Sequence, residues 1–427
     1  MYAVLICVFV LAYAAIALEE IIKVNKSATG LLGAIILWTI YSLSMGEAFP
    51  VDEKLNESLI DTAQIVFFLI GAMTVVEVVD SHDGFEVITS RIRARSMVAL
   101  IWIIAGVTFF LSAILDNLTT TIVMVSLCRK LVEDRNDRLM LAGIVVIAAN
   151  AGGAWSPIGD VTTTMLWIGG EVTTIPIMTG LFLPSLVNMM VPLAAVSLMM
   201  RGRKFELASM ATGESAKITT DMERNVVFFV GLAALVSVPM FKAITHLPPF
   251  MGILLGLGIL WLVADLIHRD KPYEERETMT IANALARIDM SAIVFFIGIL
   301  LAVAVLSHSG ILSALAAWLD ETVGRLDVIV LIIGLVSAVV DNVPMVAAAM
   351  GMYGMDQYPA DSFLWEFMAY CAGTGGSILI IGSAAGVAAM GIEKIDFLWY
   401  LRKFSWLALL GYFAGALVYI VEKEVMF

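Results

Sequence analysis

Charge is what this sequence has least of. Asp, Glu, Lys and Arg make up 15% of its 427 residues, whereas 60% are hydrophobic and the mean hydropathy is +0.95. That much apolar surface cannot be hidden in a water-soluble core, so a soluble globular protein is excluded. Cysteine is nearly absent. Cys7, Cys128 and Cys371 are scattered through apolar segments with no CxxC pair and no neighbouring histidine, so neither a disulfide framework nor a thiolate metal site is built, and they read as buried free thiols. Basic residues are outnumbered 25 to 38, a formal charge of −13 that argues against nucleic acid as a partner. No HExxH, Ser/His pair or nucleotide-binding glycine motif is present, which counts against a membrane enzyme. The alternation of a β-barrel is also missing.

What is present is a series of apolar runs near the roughly 20 residues that cross a bilayer as helix. The chain is therefore an all-α polytopic membrane protein with lipid as its surroundings. The runs cover about 2–18, 28–45, 61–79, 97–114, 118–130, 139–168, 174–200, 225–244, 249–268, 291–307, 326–340, 343–355, 363–391 and 397–420. The first has no basic n-region and is followed by Glu19 and Glu20, so it reads as an uncleaved helix rather than a signal peptide. Two pairs, 97–130 and 326–355, are short helices split by polar residues and read as re-entrant hairpins. The runs 139–168 and 363–391 are too long for one span, carry Gly-rich interruptions, and read as broken helices.

With the amino terminus outside, 21 Lys and Arg fall on the cytoplasmic side and 4 outside, as the positive-inside rule requires. The first hairpin then enters from the cytoplasm, flanked by Arg91 to Arg95 and Arg129 to Arg138, and the second from outside, flanked by Glu321, Asp327, Asp356 and Asp361. Internal similarity supports the same inversion. IVFFLIGAM from Ile65 matches IVFFIGILL from Ile293, SHDG from Ser81 matches SHSG from Ser307, SAILDN from Ser112 matches SAVVDN from Ser337, and GGAWSPIG from Gly152 matches GGSILIIG from Gly375, at offsets of 223 to 228. The chain divides into a first half (1–200), a polar cytoplasmic linker (201–224) and a second half (225–427). Inverted repeats with discontinuous helices are the architecture of secondary transporters, whose sites lie at the repeat interface.

Three acids fall at membrane depth in this layout: Asp116 and Asp341 at the hairpin tips and Asp160 after the first helix break. Each charge there costs roughly 2.5 to 3.5 kcal/mol. Capping of a helix start is the plain structural role for each, but three such costs point to use. Neutral oxygens surround them in the sequence: Asn117, Thr119 to Thr121, Asn150, Ser156, Thr162 to Thr164, Asn342, Thr374, Ser377 and Ser383. A small hard cation wants such a set of oxygens, and a buried carboxylate can hold a proton in the same place. The cation and proton competing for one carboxylate is the physics of an antiporter. No Lys or Arg falls at a tip or break, which counts against an anion carrier. Glu77, Asp80 and His82 form a further titratable group near a cytoplasmic helix end, suited to a proton pathway or pH sensing; alternatively, Glu77 pairs with the Arg91 to Arg95 cluster, and His82 and its repeat mate His308 are structural.

The stretches GAMTVVEVVDSHDGF, LSAILDNLTTTIVM, AANAGGAWSPIGDVTTTML and SAVVDNVPMVAAAMGMY, with KVNKSATGLL after the first helix, resemble the NhaD-type sodium/proton antiporters of the ion transporter superfamily over about residues 18–392. The resemblance implies export of Na+ or Li+ in exchange for H+ across the bacterial inner membrane, with no cofactor. It implies functional roles for Asp116, Asn117, Asn150, Asp160, Thr162 and Thr163, for Asp341 and Asn342, and for Ser377, with Na+ held at Asp116 and Asp160. It also implies a homodimer and an elevator-like division into scaffold and transport domains. The alternative within the superfamily is a carrier of arsenite or a dicarboxylate; outside it, a channel subunit would not need paired inverted hairpins.

Overall fold

A computed structural model describes residues 1–45, 50–92, 94, 96–202, 219–269, 271, 279–339 and 341–426. The cytoplasmic linker expected at 201–224, most of the charged loop after His268, and Arg93 and Arg95 of the basic cluster lie largely or wholly outside the described residues. Among those that are described, every regular element is a helix. In chain order these are α1 (Tyr2–Ala17), α2 (Glu19–Ile22), α3 (Lys26–Met45), α4 (Val51–Ser81), α5 (Glu86–Thr89), α6 (Met97–Ser112), α7 (Asn117–Leu131), α8 (Arg135–Ala154), α9 (Val161–Gly169), α10 (Thr174–Met199), α11 (Asp221–Thr245) and α12 (Pro249–Ile267). There follow α13 (Ile281–Arg287), α14 (Met290–His308), α15 (Ile311–Thr322), α16 (Leu326–Ser337), α17 (Asn342–Met352), α18 (Phe363–Gly375), α19 (Ala384–Glu393), α20 (Phe397–Tyr400), a π-helical turn at Leu401–Ser405, and α21 (Trp406–Met426). Eight of the described helices are long and apolar enough to cross a membrane.

The helix starts follow from local chemistry. Ser96, Asp116, Asp134, Asp160, Asp289, Asp341 and Ser383 each accept a backbone N–H of the first turn they precede. Apart from Asn150, helix α8 is apolar on all sides through Leu139–Ala154 and is accordingly enclosed on all sides. By contrast α3, α11 and α12 bury a third of their apolar windows and present the rest outward, as helices facing lipid do.

Two packed groups result. Helices α1, α3, α4, α11, α12, α13 and α14 form one, with α3 against α14 and α4 against α12; α6 to α10, α16, α18, α19 and α21 form the other, with α6, α7, α18 and α19 against α8 and α10 against α21. Helix α17 touches both, packing on α14 and on α9 and α18. The pairings α3–α14, α8–α18 and α10–α21 each join an early segment to a late one, so the two halves of the chain are interleaved.

Three features depart from the sequence expectations. Helix α4 starts at Val51, ten residues early, because VDEKLNESLI has good helix formers but too few apolar residues to register as a membrane run. Helix α15 had no counterpart among the expected runs; it is 12 residues long and its apolar residues lie on one face. Cys128 and Cys371 are buried, but Cys7 is exposed on α1.

Candidate cation site

The hairpin α6–α7 turns through Ala113–Asp116, and the break between α8 and α9 runs through Trp155–Asp160. They are pinned together by side-chain hydroxyls on backbone carbonyls: Ser112 Oγ donates to the Ala149 carbonyl at 2.6 Å, and Ser156 Oγ donates to the Ala113 carbonyl. A Cβ at Gly152 would collide with the Phe109 carbonyl, so α6 and α8 approach as closely as glycine allows. The segments α16, α18 and α19 repeat the arrangement. Ser337 Oγ donates to the Ala372 carbonyl at 3.2 Å, and a Cβ at Gly375 would collide with the Gly334 carbonyl.

These contacts bring a buried polar network together. Asn117, the first residue of α7, donates through Nδ2 to Asp160 Oδ2 at 2.8 Å and to Asn150 Oδ1 at 3.0 Å. Asn150, in the last turns of α8, donates through Nδ2 to Ser377 Oγ and Ser383 Oγ, each at 2.9 Å. Asp160 Oδ1 accepts the Thr162 N–H at 3.0 Å and the Thr162 hydroxyl at 2.9 Å. Asn150 is fully buried, and Asp160, Asn117, Ser377 and Ser383 are nearly so. All of these Asp160 donors are neutral. Helix α18 runs alongside the carboxylate, since a Cβ on Gly373 would stand 3.6 Å from Asp160 Oδ2. On α7 the hydroxyls of Thr120 and Thr121, one turn beyond Asn117, are buried without a hydrogen-bond partner among the described residues.

Other candidate residues stand apart from this network. Asp116 is half-buried and folds back on its own helix: Oδ1 accepts the Thr119 N–H at 2.8 Å and Oδ2 the Thr119 hydroxyl at 2.6 Å. Thr163 donates to the Ala154 carbonyl at 3.4 Å. Asp341, at the α16–α17 tip, accepts the Val343 N–H at 3.3 Å and is paired with Lys26, Nζ to Oδ2 2.7 Å; Asn342 beside it is buried. This corrects the expectation that no basic residue stands at a tip. Lys26 and Asp341 are 315 residues apart, and Lys26 had counted only as one of the 21 basic residues assigned to the cytoplasmic side.

Glu77 pairs with Arg287 of α13, Nε to Oε1 2.9 Å, where α13 packs along α4; Arg93 and Arg95 of the alternative cluster lie outside the described residues. Asp80 is exposed. His82 is buried, its Nδ1 donating to the Val78 carbonyl at 2.7 Å and its Nε2 2.7 Å from Nε2 of His268; His308 is 3.0 Å from the Ser58 hydroxyl. Sequence reasoning also missed Tyr400, whose hydroxyl donates to the Ser377 carbonyl at 2.8 Å and so holds the second break from behind. No local signal marks it, since the contact spans 23 residues and Tyr400 stands just before a π-helical turn.

An oxygen-rich network at the junction of two interrupted helices and a hairpin tip defines a membrane carrier, and the comparisons agree. Residues 13–373 match the model of the citrate transporter family, CitMHS, and the chain belongs to that family of transporters. Sodium/proton antiporter 1 of Arabidopsis thaliana is 51% identical over 98% of this chain and 72% of its own length. Sodium/proton antiporter 2 of the same plant is 47% identical over 96% and 97%. The Na+/H+ antiporter NhaD of Vibrio cholerae is 31% identical over 100% of this chain and 92% of its own, in keeping with the motifs of the sequence.

Proposed function

We propose that this protein is a secondary antiporter that exchanges Na+, or Li+, for H+, the two competing for a site built on Asp160 and Asp116 with Asn117, Asn150, Thr162 and Thr163. The observation that carries the reading is the Asp160 carboxylate: nearly fully buried, held by neutral donors alone, and joined through Asn117 and Asn150 to the side-chain oxygens of the second helix break. An uncompensated carboxylate in such a place is costly unless a proton or a cation joins it. A hard cation is a good fit, because Asn150 Oδ1, Ser377 Oγ, Ser383 Oγ and the partnerless Thr120 and Thr121 hydroxyls are the oxygen ligands it takes. Each occupant neutralises the charge, so a loaded or protonated carboxylate can be carried across while an empty one is held back. Ser156 and Ser377 brace the two breaks, and Asp341 with Asn342 forms the opposite tip.

The paired contacts support the reading as two inverted repeats with re-entrant tips, residues 1–200 and 225–427 around the linker 201–224. Ser112–Ala149 and Ser337–Ala372 correspond, as do Gly152–Phe109 and Gly375–Gly334. The group around α3, α4, α12 and α14 then serves as scaffold and the group around α8 and α18 as the part that moves, in an elevator-like cycle within a homodimer. The proposed location is the inner membrane of a bacterium. The names of the curated relatives favour cation/proton exchange over an anion substrate. So does the chemistry of the helix starts: the N-termini of α7, α9 and α17 each carry a carboxylate cap on the N–H groups an anion would need.

In proteoliposomes, a Na+ pulse should produce a pH change that Asp160→Asn abolishes and Asp116→Asn lowers at least about tenfold, a loss of roughly 1.4 kcal/mol or more. Exchange at the unmodified rate in either variant would refute the site assignment.

A further inference from the structure

The two hairpin tips carry the same Asp-Asn pair but are equipped differently. At the first, Asn117 reaches a second carboxylate, Asp160, and three threonines follow. At the second, Val343 and Pro344 follow Asn342, and Ser383 stands where the first half has Asp160. What the second tip has instead is Lys26. Its ammonium lies 2.7 Å from Asp341 Oδ2 and 4.6 Å from the ring centroid of the fully buried Phe295 on α14. The start of α3 is itself fastened, with the Lys26 N–H on Glu19 Oε1 at 3.0 Å and Ser27 Oγ on the Ser291 carbonyl at 2.6 Å. An ammonium held by a carboxylate on one side and an aromatic face on the other is in the surroundings that a bound monovalent cation would occupy.

We propose that Lys26 is a built-in cation that fills the second tip, so that the carrier takes one exchangeable cation per chain although its fold offers two carboxylate tips. This rests on the reading that tip carboxylates serve cations, and goes beyond it by assigning Lys26 the part of setting the number. The second tip keeps the geometry of a site while its occupant is covalently part of the chain. Because Lys26 belongs to α3 and Asp341 to the facing hairpin, the occupant also ties the two helix groups at this point.

The test is to count Na+ bound per purified chain and to measure the Na+ dependence of exchange in proteoliposomes. The unmodified protein should bind one Na+ with a Hill coefficient near 1; two bound ions would overturn the proposal without any variant. Lys26→Gln should bind a second Na+ and raise the Hill coefficient above 1, whereas Lys26→Arg should keep one. The extra ion should persist in Lys26→Gln/Asp160→Asn and vanish in Lys26→Gln/Asp341→Asn, which separates this proposal from the assignment of Asp160. A folded Lys26→Gln protein that still binds one ion overturns it. Should Lys26→Gln not fold, Lys26→Met/Asp341→Leu, which removes both charges, must bind as many ions as the unmodified protein; any fewer also overturns it.

Discussion

Two buried titratable residues outside the proposed site pull the pH dependence of stability in opposite directions. His82, at the end of α4, has its pKa pushed down by burial and by Lys271, while its bond to the Val78 carbonyl, Glu223 and Asp83 work the other way. The folded state prefers the neutral ring. Its contribution is therefore complete above the free-histidine value of about 6.5 and is lost as pH falls below that value. Glu171, between α9 and α10, is pushed up to about 7 by burial, with Asp61 adding to the rise and Lys242 opposing it. Its contribution is complete below the ordinary carboxylate range and is lost as pH rises toward 7. Melting curves should show His82→Gln flattening the loss of stability between pH 7 and pH 5. Glu171→Gln should be neutral at pH 4 and stabilising at pH 8, by on the order of 3 kcal/mol. An effect of either variant in the opposite pH range would contradict these signs. At this scale the sequence exposed the acids well, because a charge in an apolar run is conspicuous. It did not expose partners such as His268 for His82, Arg287 for Glu77 or Lys26 for Asp341, which come from distant segments and depend on packing.

At the scale of elements, the helix ends were legible because Gly-rich and Asp-Asn interruptions stand out in apolar runs, and the bounds of α6 to α9 and α16 to α19 lie close to those interruptions. Capping leaves room for the proposed cation role. Asp116, Asp160 and Asp341 all cap a helix, and Asp160 has a second oxygen left for Asn117. Helix α15 was hidden because a short amphipathic helix has neither the length nor the uniform apolarity of a span. The close approach of α6 to α8 makes a clear prediction. Gly152→Ala should cost about 1 to 3 kcal/mol by overpacking against the Phe109 backbone and should reduce exchange. Gly106→Ala, on the open side of α6, should be neutral or gain up to about 1 kcal/mol. Thermal unfolding of the two variants in detergent, scored beside their exchange rates, checks both; equal melting temperatures would mean that α6 and α8 can separate at no cost.

For the whole molecule, the proposed movement of one helix group past the other can be tested where they meet. Phe68 of α4 and Trp167 of α9 have ring centroids 6.4 Å apart across that boundary, whereas Trp102 of α6 and Ser197 of α10 touch within one group, Nε1 to Oγ 2.8 Å. In a background without Cys7, Cys128 and Cys371, a short thiol cross-link between cysteines at 68 and 167 should stop exchange, and its reduction should restore it. The same link between 102 and 197 should leave exchange running. Exchange that survives the first link would rule out relative movement at that boundary.

The interleaving of early and late segments also sets a timetable for synthesis. Helix α10 ends at Met199, and its partner α21 begins at Trp406. Asn188 of α10 donates to the Tyr370 hydroxyl of α18, Nδ2 to OH 3.3 Å, and Gly411 of α21 passes the Asn188 carbonyl so closely that no side chain would fit. At the roughly 5 to 20 residues per second of a ribosome, α10 waits on the order of 10 to 40 s for α21 to emerge. Until α18 brings Tyr370, a polar amide made for a protein interior has lipid or a chaperone as its neighbour, and the face of α10 around it stays open until α21 arrives. The face of α10 is thus exposed through much of the synthesis of the second half, and of the described helices it is α21 that closes it.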